Sequence, residues 1–596
     1  MLEGGSLVGN ESARVLSRFF SRTACWLSEE TGRSSGSRGL VSLSGLVDMF
    51  HGTGAEWGAL FAGCEGKTHL AGERGRACRI VREELWRKCW LRAFHACGAR
   101  DACVASLQLF NTLTGKIEPL EPVGAAALRM YACGPTVYDY GHIGNFRTFL
   151  HVDVLRRFLR LQGVAVNHVM NITDVDDKII RNATAADKPI KEYTERFERA
   201  FFEDLDALGI ERPEHVPRAT EHIPEMVTLI ERLAAKDIAY KAEDGSWYFR
   251  IAKYPEYGKL SKKDFDGIED GARVDVDEYE KDAARDFALW KAVKPGEPGW
   301  DTALGTGRPG WHIECSAMAG SLLGESFDLH AGGEDLMFPH HENEIAQSES
   351  ATGKTFARHW MHVRFLLVEG KKMSKSEGNF YTLRDLLLKG HRASAIRYLL
   401  ISVPYRHQMN FTFEALAAAA NTIDRWRTFQ QRMLRGGFAA EVNESVRTAT
   451  EKAAKEFTAA LENDLNTAEA AAAISEMVRA ANTSADAGTL GDENAAEILR
   501  VLTMFDEVFA VLVDRDQEMT AAALKWAEAE GRIGEASPEV VARMGLSDEE
   551  IEALVAERTQ AKKMRNFARA DAIRAELLAK GVIIEDSKDG VRWKRK

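Results

Sequence analysis

The reading of this chain turns on Tyr131-Ala132-Cys133-Gly134-Pro135-Thr136-Val137-Tyr138-Asp139-Tyr140-Gly141-His142-Ile143-Gly144-Asn145. Leu128 to Cys133 is expected to be a short strand, a Gly-Pro turn follows, and a helix begins beyond it. A strand running into a helix N-terminus sets free backbone N–H groups where phosphate can bind. The strand carries a thiol, Cys133, to the mouth of that site. The helix brings His142 and Asn145, three residues apart and so on one face. A soft metal ligand and a nucleotide site are thereby set within about one helical turn of each other.

Working outward, Phe149, Val152, Leu155, Phe158 and Leu159 recur at helical spacing between Arg147 and Gln162, and Gly163 caps the run. Val164 to Thr173 reads as the next strand, and Asp174 opens another helix. This β-α-β-α order predicts an α/β fold with a doubly wound, parallel, Rossmann-like sheet. The sheet domain is expected over 105–395. An insertion at about 185–300 interrupts it and holds a strand at Trp247-Tyr248-Phe249; the sheet resumes at Trp311 and continues through Phe365-Leu366-Leu367-Val368. An Ala-rich helical bundle is expected over 396–535. A small C-terminal domain, 536–596, ends in Arg592-Trp593-Lys594-Arg595-Lys596.

At 596 residues the chain is too long for one core. No run of 18 apolar residues occurs, so no membrane span is expected. A net charge of -12 argues against a protein that coats nucleic acid non-specifically, but local basic patches can still bind an RNA. Of 8 cysteines, only Cys133 and Cys315 lie beyond Cys103. That placement is unlike a secreted disulfide framework, so a cytoplasmic protein is expected. Residues 1–104 lack proline, are rich in Gly, Ser and Arg, and stand apart from the rest. A disordered extension, or an upstream stretch read as coding, is the expectation. A targeting peptide is the alternative, suggested by Arg14, Arg18 and Arg22 on one helical face and opposed by Glu3, Glu29 and Glu30.

Two constellations carry chemistry. Cys315 sits in Trp311-His312-Ile313-Glu314-Cys315. His340 and Glu344 follow, on one face of a helix that Pro339 is placed to open. With Cys133 they make a Cys₂-His-Glu set, and thiolate plus imidazole selects zinc. The competing reading is two buried cysteines and a surface His/Glu pair. The second constellation is Lys371-Lys372-Met373-Ser374-Lys375-Ser376-Glu377-Gly378-Asn379, whose lysines could hold the β- and γ-phosphates of ATP as pyrophosphate leaves. A solvated basic loop is the alternative. Gly305-Thr306-Gly307-Arg308-Pro309-Gly310 fits a dinucleotide fingerprint but is set aside: no strand is expected before it, and Pro309 disfavours the helix start. Asp174, Asp176 and Asp177 read as helix N-terminal acids more than as ion ligands.

Taken together, His142-Ile143-Gly144-Asn145 and Lys372-Met373-Ser374-Lys375-Ser376 resemble the two signatures of class I aminoacyl-tRNA synthetases. Cys133 to Asp139, Gly310 to Ser316 and Phe338 to Glu344 resemble the cysteinyl family in particular. The resemblance runs from about Leu107 to Lys596. One departure is Ala468, where proline is expected after Asn466-Thr467. The resemblance implies that L-cysteine and ATP give cysteinyl-adenylate, and that the cysteinyl group then passes to tRNA(Cys). It implies stabilisation of the attacked phosphate by His142 and Asn145, and of pyrophosphate by Lys372 and Lys375. It further implies a cysteine pocket from Thr173, Trp311, His330 and Asp335, one zinc ion on Cys133, Cys315, His340 and Glu344, and Mg²⁺ with ATP. A monomer is expected, with tRNA held by the bundle and the small domain and Trp593 stacking in the anticodon loop. Two other readings stay open: a ligase that passes the cysteinyl group to an amino sugar, and a catalytically silent tRNA-binding protein.

Overall fold

Along the strand Leu128–Ala132 (β1) the side chains alternate between two cores. Leu128, Met130 and Ala132 enter one hydrophobic cluster, and Tyr131 and the following Cys133 enter another. That period of two is what a strand covered on both faces requires. The computed structural model describes residues 107–122, 127–263, 273–274, 286–294, 296–544, 548–580, 582–587 and 590–595. The expectation for residues 1–104 falls outside them.

Helix α1 (Ile143–Leu161) leads from β1 to β2 (Val166–Met170). Helix α2 (Trp311–Leu323) leads into β3 (Phe327–Gly333), and α3 (Glu342–Thr352) leads on to β4 (Ala357–Val363). The sheet is parallel throughout, in the order β4-β3-β1-β2. The apolar side chains of α1 join the first cluster, and those of α2 and α3 join the second. The doubly wound α/β expectation therefore holds. The connections leaving β1 and β3 diverge to opposite faces, so a crevice opens between the C-terminal ends of these neighbours, the usual place for a ligand in such sheets.

The helix after β2 is Asp177–Ala185, capped by Asp176, and not a helix opened at Asp174. Asp174 is bound by Thr220, whose backbone N–H and hydroxyl donate to it at 3.0 and 2.6 Å. The helices Ile190–Ala207 and Ile223–Ala234 follow, and then a second sheet that includes Trp247–Phe249, Asp286–Ala292 and Gly307–Pro309. This sheet accounts for the apparent fingerprint at 305–310. Gly307–Pro309 is itself a strand, paired antiparallel with Asp286–Ala292, and Gly310 is the N-cap of α2. Pro309 therefore lies outside the helix and does not hinder its start.

The helices Phe413–Arg435, Glu444–Glu462, Thr467–Asp486 and Asp492–Phe509 form the bundle. Asn466 caps the third by accepting from the N–H of Glu469, so Ala468 in place of proline does not disturb its start. Arg397, 1% exposed, ties the bundle to the sheet domain. It donates to Phe509 O (2.5 Å), to Leu208 O (3.0 Å) and to Asp153 Oδ2 of α1 (2.6 Å). The C-terminal domain packs the helices Asp548–Lys563 and Phe567–Ala579 on the hairpin Val582–Ser587/Gly590–Arg595 around Ile551, Ile573, Leu577, Val582 and Ile584. Trp593 packs against this core, whereas Met564 and Phe567 stand exposed at the turn between the two helices. No helix among the described residues is long and apolar enough to cross a membrane.

Candidate active site and metal centre

Cys133 stands just past the end of β1, its N–H donating to Ala331 O of β3 at 3.2 Å. At Gly134 the chain crosses the loop after β2 so closely that a Cβ would lie 1.7 Å from Asn171 O, and only glycine fits. Four donors converge at this crossing. The Cys133 and Cys315 sulfurs are 3.9 Å apart, Cys133 Sγ lies 3.7 Å from Glu344 Oε1, and His340 Nε2 lies 3.1 Å from the same oxygen. All four side chains are buried, and their donor atoms lie within 4.8 Å of one another.

His340 is not inside the helix that carries Glu344. Phe338 is extended (φ -139, ψ 130), helical geometry restarts after it, and α3 proper begins at Glu342. The two ligands still meet because the turn runs directly into α3. The expectation of a shared face survives, while that of one regular helix from Pro339 is corrected.

Tetrahedral zinc with Zn–S near 2.3 Å and Zn–N near 2.0 Å spaces its ligands by roughly 3.3–3.8 Å, close to what these donors show. The charges of the cluster are balanced among its own side chains. Burial alone would pull the His340 imidazole down, but Glu344 and Cys315 outweigh it and hold its pKa up at about 10. Burial would raise Glu344, but His330 and His340 bring it to about 2. Burial would raise Cys315 too, and its hydrogen bond with Cys133 leads the contacts that bring it to about 6. Cys133 stays a thiol, its pKa pushed well up by burial, and the His340 imidazolium balances the Cys315 thiolate and the Glu344 carboxylate. Cys133, His330, His341 and Glu344 form a second set of four by the same criterion. In that set His341 Nε2 lies 3.3 Å from Cys133 Sγ while its Nδ1 meets His362 Nε2 at 2.9 Å, and His330 Nε2 meets Glu344 Oε2 at 2.9 Å. His341 and His362 were not singled out from the sequence, where adjacent histidines give no sign of which one faces inward.

The first signature differs in detail from its expected form. His142 is the N-cap of α1, not a residue on its face. Its Nδ1 accepts from Asn145 N–H at 3.2 Å, and its own N–H donates to Asn145 Oδ1 at 3.1 Å. This reciprocal cap takes one of the helix-start N–H groups that the strand-to-helix reading left free for phosphate. Burial holds His142 neutral, with its pKa lowered to about 4 although Asp335 pulls upward. With Nδ1 an acceptor, the proton sits on Nε2.

The lysine loop closes on this cap. Ile143 N–H donates to Tyr381 O at 3.0 Å, and the Phe380 ring meets the His142 ring edge-on at 5.2 Å. Asn379 braces the loop, accepting from Ser374 N–H at 2.8 Å and donating to Lys372 O at 3.1 Å. Lys372 is exposed in the short strand Lys371–Lys372. Lys375 lies over Phe380 and pairs with Asp139.

Of the expected cysteine-pocket residues, two lie against the four converging donors. Trp311 stacks on His340 at 4.2 Å, and His330 is bound to Glu344 and stacked on Trp360 at 4.4 Å. Thr173 is buried and donates to Glu314 Oε2 at 2.8 Å. Asp335 is exposed, in the turn after β3, where its charge acts on His142. Glu314, fully buried, escaped the sequence reading because a helical glutamate beside a cysteine looks like any surface acid.

Comparison with known proteins follows the same lines. Residues 119–421 match the tRNA synthetases class I (C) catalytic domain, 456–513 the DALR domain, and 545–593 the cysteinyl-tRNA ligase anticodon binding domain. The LeuRS of Agrobacterium radiobacter K84, solved in a ternary complex with tRNA and LeuAMS, shares the fold at 10% identity. Its TM-score is 0.50, over 67% of this chain and 85% of that one. Fold and signatures together define a class I aminoacyl-tRNA synthetase. The cysteine–tRNA ligase of Koribacter versatilis is 60% identical over 82% of this chain and 100% of its own length. That of Solibacter usitatus is 54% identical over 82% and 100%. The chain belongs to the cysteine–tRNA ligase family, and it joins cysteine to tRNA(Cys) at the expense of ATP.

Proposed function

We propose that cysteine is selected by a zinc ion on Cys133, Cys315, His340 and Glu344 and activated by ATP laid across His142, Asn145, Lys372 and Lys375. The observation that carries this reading is the convergence of two thiols, an imidazole and a carboxylate on one face of the sheet, at the end of the strand that leads to the His142 cap. When bound, zinc supplies a soft Lewis acid that takes a thiolate far more readily than the harder, less acidic hydroxyl of serine.

No protein nucleophile is needed. The carboxylate of cysteine attacks the α-phosphorus of ATP, and the bond to pyrophosphate breaks. Neutral His142 offers its Nε2–H to an α-phosphate oxygen, since its Nδ1 is occupied by Asn145. Lys372 and Lys375 meet charge on the departing pyrophosphate, for which Lys375 must leave Asp139. Thr173, Trp311, His330 and Asp335 border the amino acid. Trp311, flat on His340, fixes the plane of that ring. Mg²⁺ accompanies ATP. The enzyme acts as a monomer, and in the cytoplasm, the compartment that the two free cysteines of the described residues support.

The bundle and small domain receive the tRNA. Trp593 stacks in the anticodon loop, and exposed Phe567 and Met564, flanked by Lys562, Lys563, Arg565 and Arg569, add a further stacking and phosphate-binding surface. Cysteine-dependent ATP–pyrophosphate exchange, with zinc analysis of the same preparation, tests the proposal. Exchange at full rate in zinc-free protein would overturn the metal's part.

A further inference from the structure

The turn between β1 and the His142 cap is gripped by a helix that comes after the bundle. This helix, Asp516–Ala529, carries Trp526. Tyr140, two residues before His142, accepts on its hydroxyl from Trp526 Nε1–H at 3.3 Å and from Arg196 Nη2–H at 3.2 Å. The Tyr140 and Trp526 rings meet edge-on at 5.2 Å, and both are partly buried. Two guanidinium groups lie over the indole, that of Arg384 at 4.8 Å and that of Arg532 at 4.9 Å. The Arg384 group lies over the Tyr140 ring as well, at 5.5 Å.

These two arginines lead to the other signature. Arg384 sits in the first turn of the helix Leu383–Leu388, which follows the lysine loop. It is 3% exposed and is fixed by Asp204 Oδ1 and Ala200 O, both at 2.9 Å. Arg532 pairs with Asp385 at 3.3 Å. Asp385 accepts from Thr382 N–H at 2.9 Å and so closes the cap of that helix, and the backbone of Thr382 bridges to that of His142. Trp526 thus meets the turn ahead of the first signature and, through the two arginines, the helix behind the second. Its own helix has a separate anchor on the bundle side. Asp516 accepts from Ser394 N–H and Oγ–H at 2.9 and 2.7 Å and from Arg427 at 2.7 Å. Docking of the helix therefore does not depend on Trp526.

An indole N–H, an edge-on ring pair and guanidinium groups over a ring all have preferred directions, so together they fix a distance and an angle. We propose that Trp526 is a positioning residue for adenylate formation: through Tyr140, Arg384 and Arg532 it sets the spacing between the His142 turn and the lysine loop. This rests on the reading that ATP lies across both. The salt bridge of Lys375 with Asp139 crosses the same gap from the loop side.

The test is cysteine-dependent ATP–pyrophosphate exchange on full-length variants, with thermal unfolding of each. Trp526→Ala is expected to lower kcat by about 10- to 100-fold, the scale of a misplacement of about 1 Å, and to leave KM for cysteine within about twofold. Trp526→Phe keeps a ring and loses only the N–H, so its kcat is expected about threefold below that of the unmutated chain. In a Tyr140→Ala background Trp526→Ala is expected to cost less than it does alone, because the joint is already broken. A folded Trp526→Ala with unchanged kcat overturns the proposal, and so does a cost that is undiminished in the Tyr140→Ala background. Should Trp526→Ala not fold, Trp526→Phe decides, and an unchanged kcat in that variant overturns the proposal. Lys375→Ala, run alongside, separates the two readings. If it loses rate while the Trp526 variants do not, only the part given to Trp526 falls; if none loses rate, the ATP reading falls as well.

Discussion

Lys375 of the lysine loop is paired with Asp139 of the turn that follows β1. The pairing holds the two signatures together and keeps the lysine at the site before any phosphate arrives. Lys375→Ala should therefore lower the rate of adenylate formation with little change in KM for cysteine. A donor to transition-state charge is worth roughly 2.7–4 kcal/mol, about 10²–10³ in kcat. Pyrophosphate exchange measures both constants, and an unchanged kcat with a raised KM for cysteine removes the assigned role.

Zinc analysis should return one ion per chain, and Cys315→Ser should lower both zinc content and cysteine affinity. X-ray absorption at the zinc edge should gain one sulfur contact when cysteine is added. An unchanged edge on saturation with cysteine would reduce the metal to a structural clip.

The neutral state of His142 has a pH signature. Its folded pKa, about 4, is below the ordinary 6.5. Between these values the unfolded chain binds the proton and the folded one does not, so the stability this group supports is present above pH 6.5 and lost as pH falls toward 4. Denaturant unfolding at pH 7.5 and pH 5 should show a larger loss for the unmutated protein than for His142→Gln. Equal losses would mean that His142 is protonated in the folded state.

Arg397→Met should destabilise the protein by about 3–5 kcal/mol, because it leaves the buried Asp153 carboxylate short of a partner. Arg157, at 2.8 Å from Asp153, keeps the loss from being larger. Thermal or denaturant unfolding gives the number, and a change under about 1 kcal/mol, the scale of surface pairs, contradicts the assigned burial.

Deleting residues 1–104 should leave aminoacylation intact, since the curated relatives are spanned in full by 82% of this chain and both signatures lie beyond Leu107. A folded truncation that no longer charges tRNA refutes this.

The alternation along β1 and the 3.6-residue period of α1 were legible because each burial pattern is written in consecutive side chains. The four candidate metal donors were legible as residue types, and their convergence came from separate elements. What the sequence hid is geometry that depends on neighbours. His142 reads as a residue on a helical face until Asn145 is seen to cap it. Pro339 reads as a helix start, and the extended Phe338 before it does not announce itself. Glu314 reads as a surface acid until Thr173, 141 residues earlier, is found against it. Trp593, expected to meet RNA, lies half-buried against the small C-terminal core.

Arg397 gives the last of these features a mechanical meaning. Its guanidinium grips the end of a bundle helix at Phe509 and the middle of α1 at Asp153, and α1 begins at the cap formed by His142. A displacement of the bundle by a bound tRNA would pass along α1 to His142, the residue proposed to meet the α-phosphate. Occupancy of the RNA-binding half is then expected to be felt as a change in the rate of adenylate formation. Pyrophosphate exchange with and without uncharged tRNA, in the unmutated protein and in Arg397→Met, would read that transmission directly. The same response in both would show that α1 carries nothing.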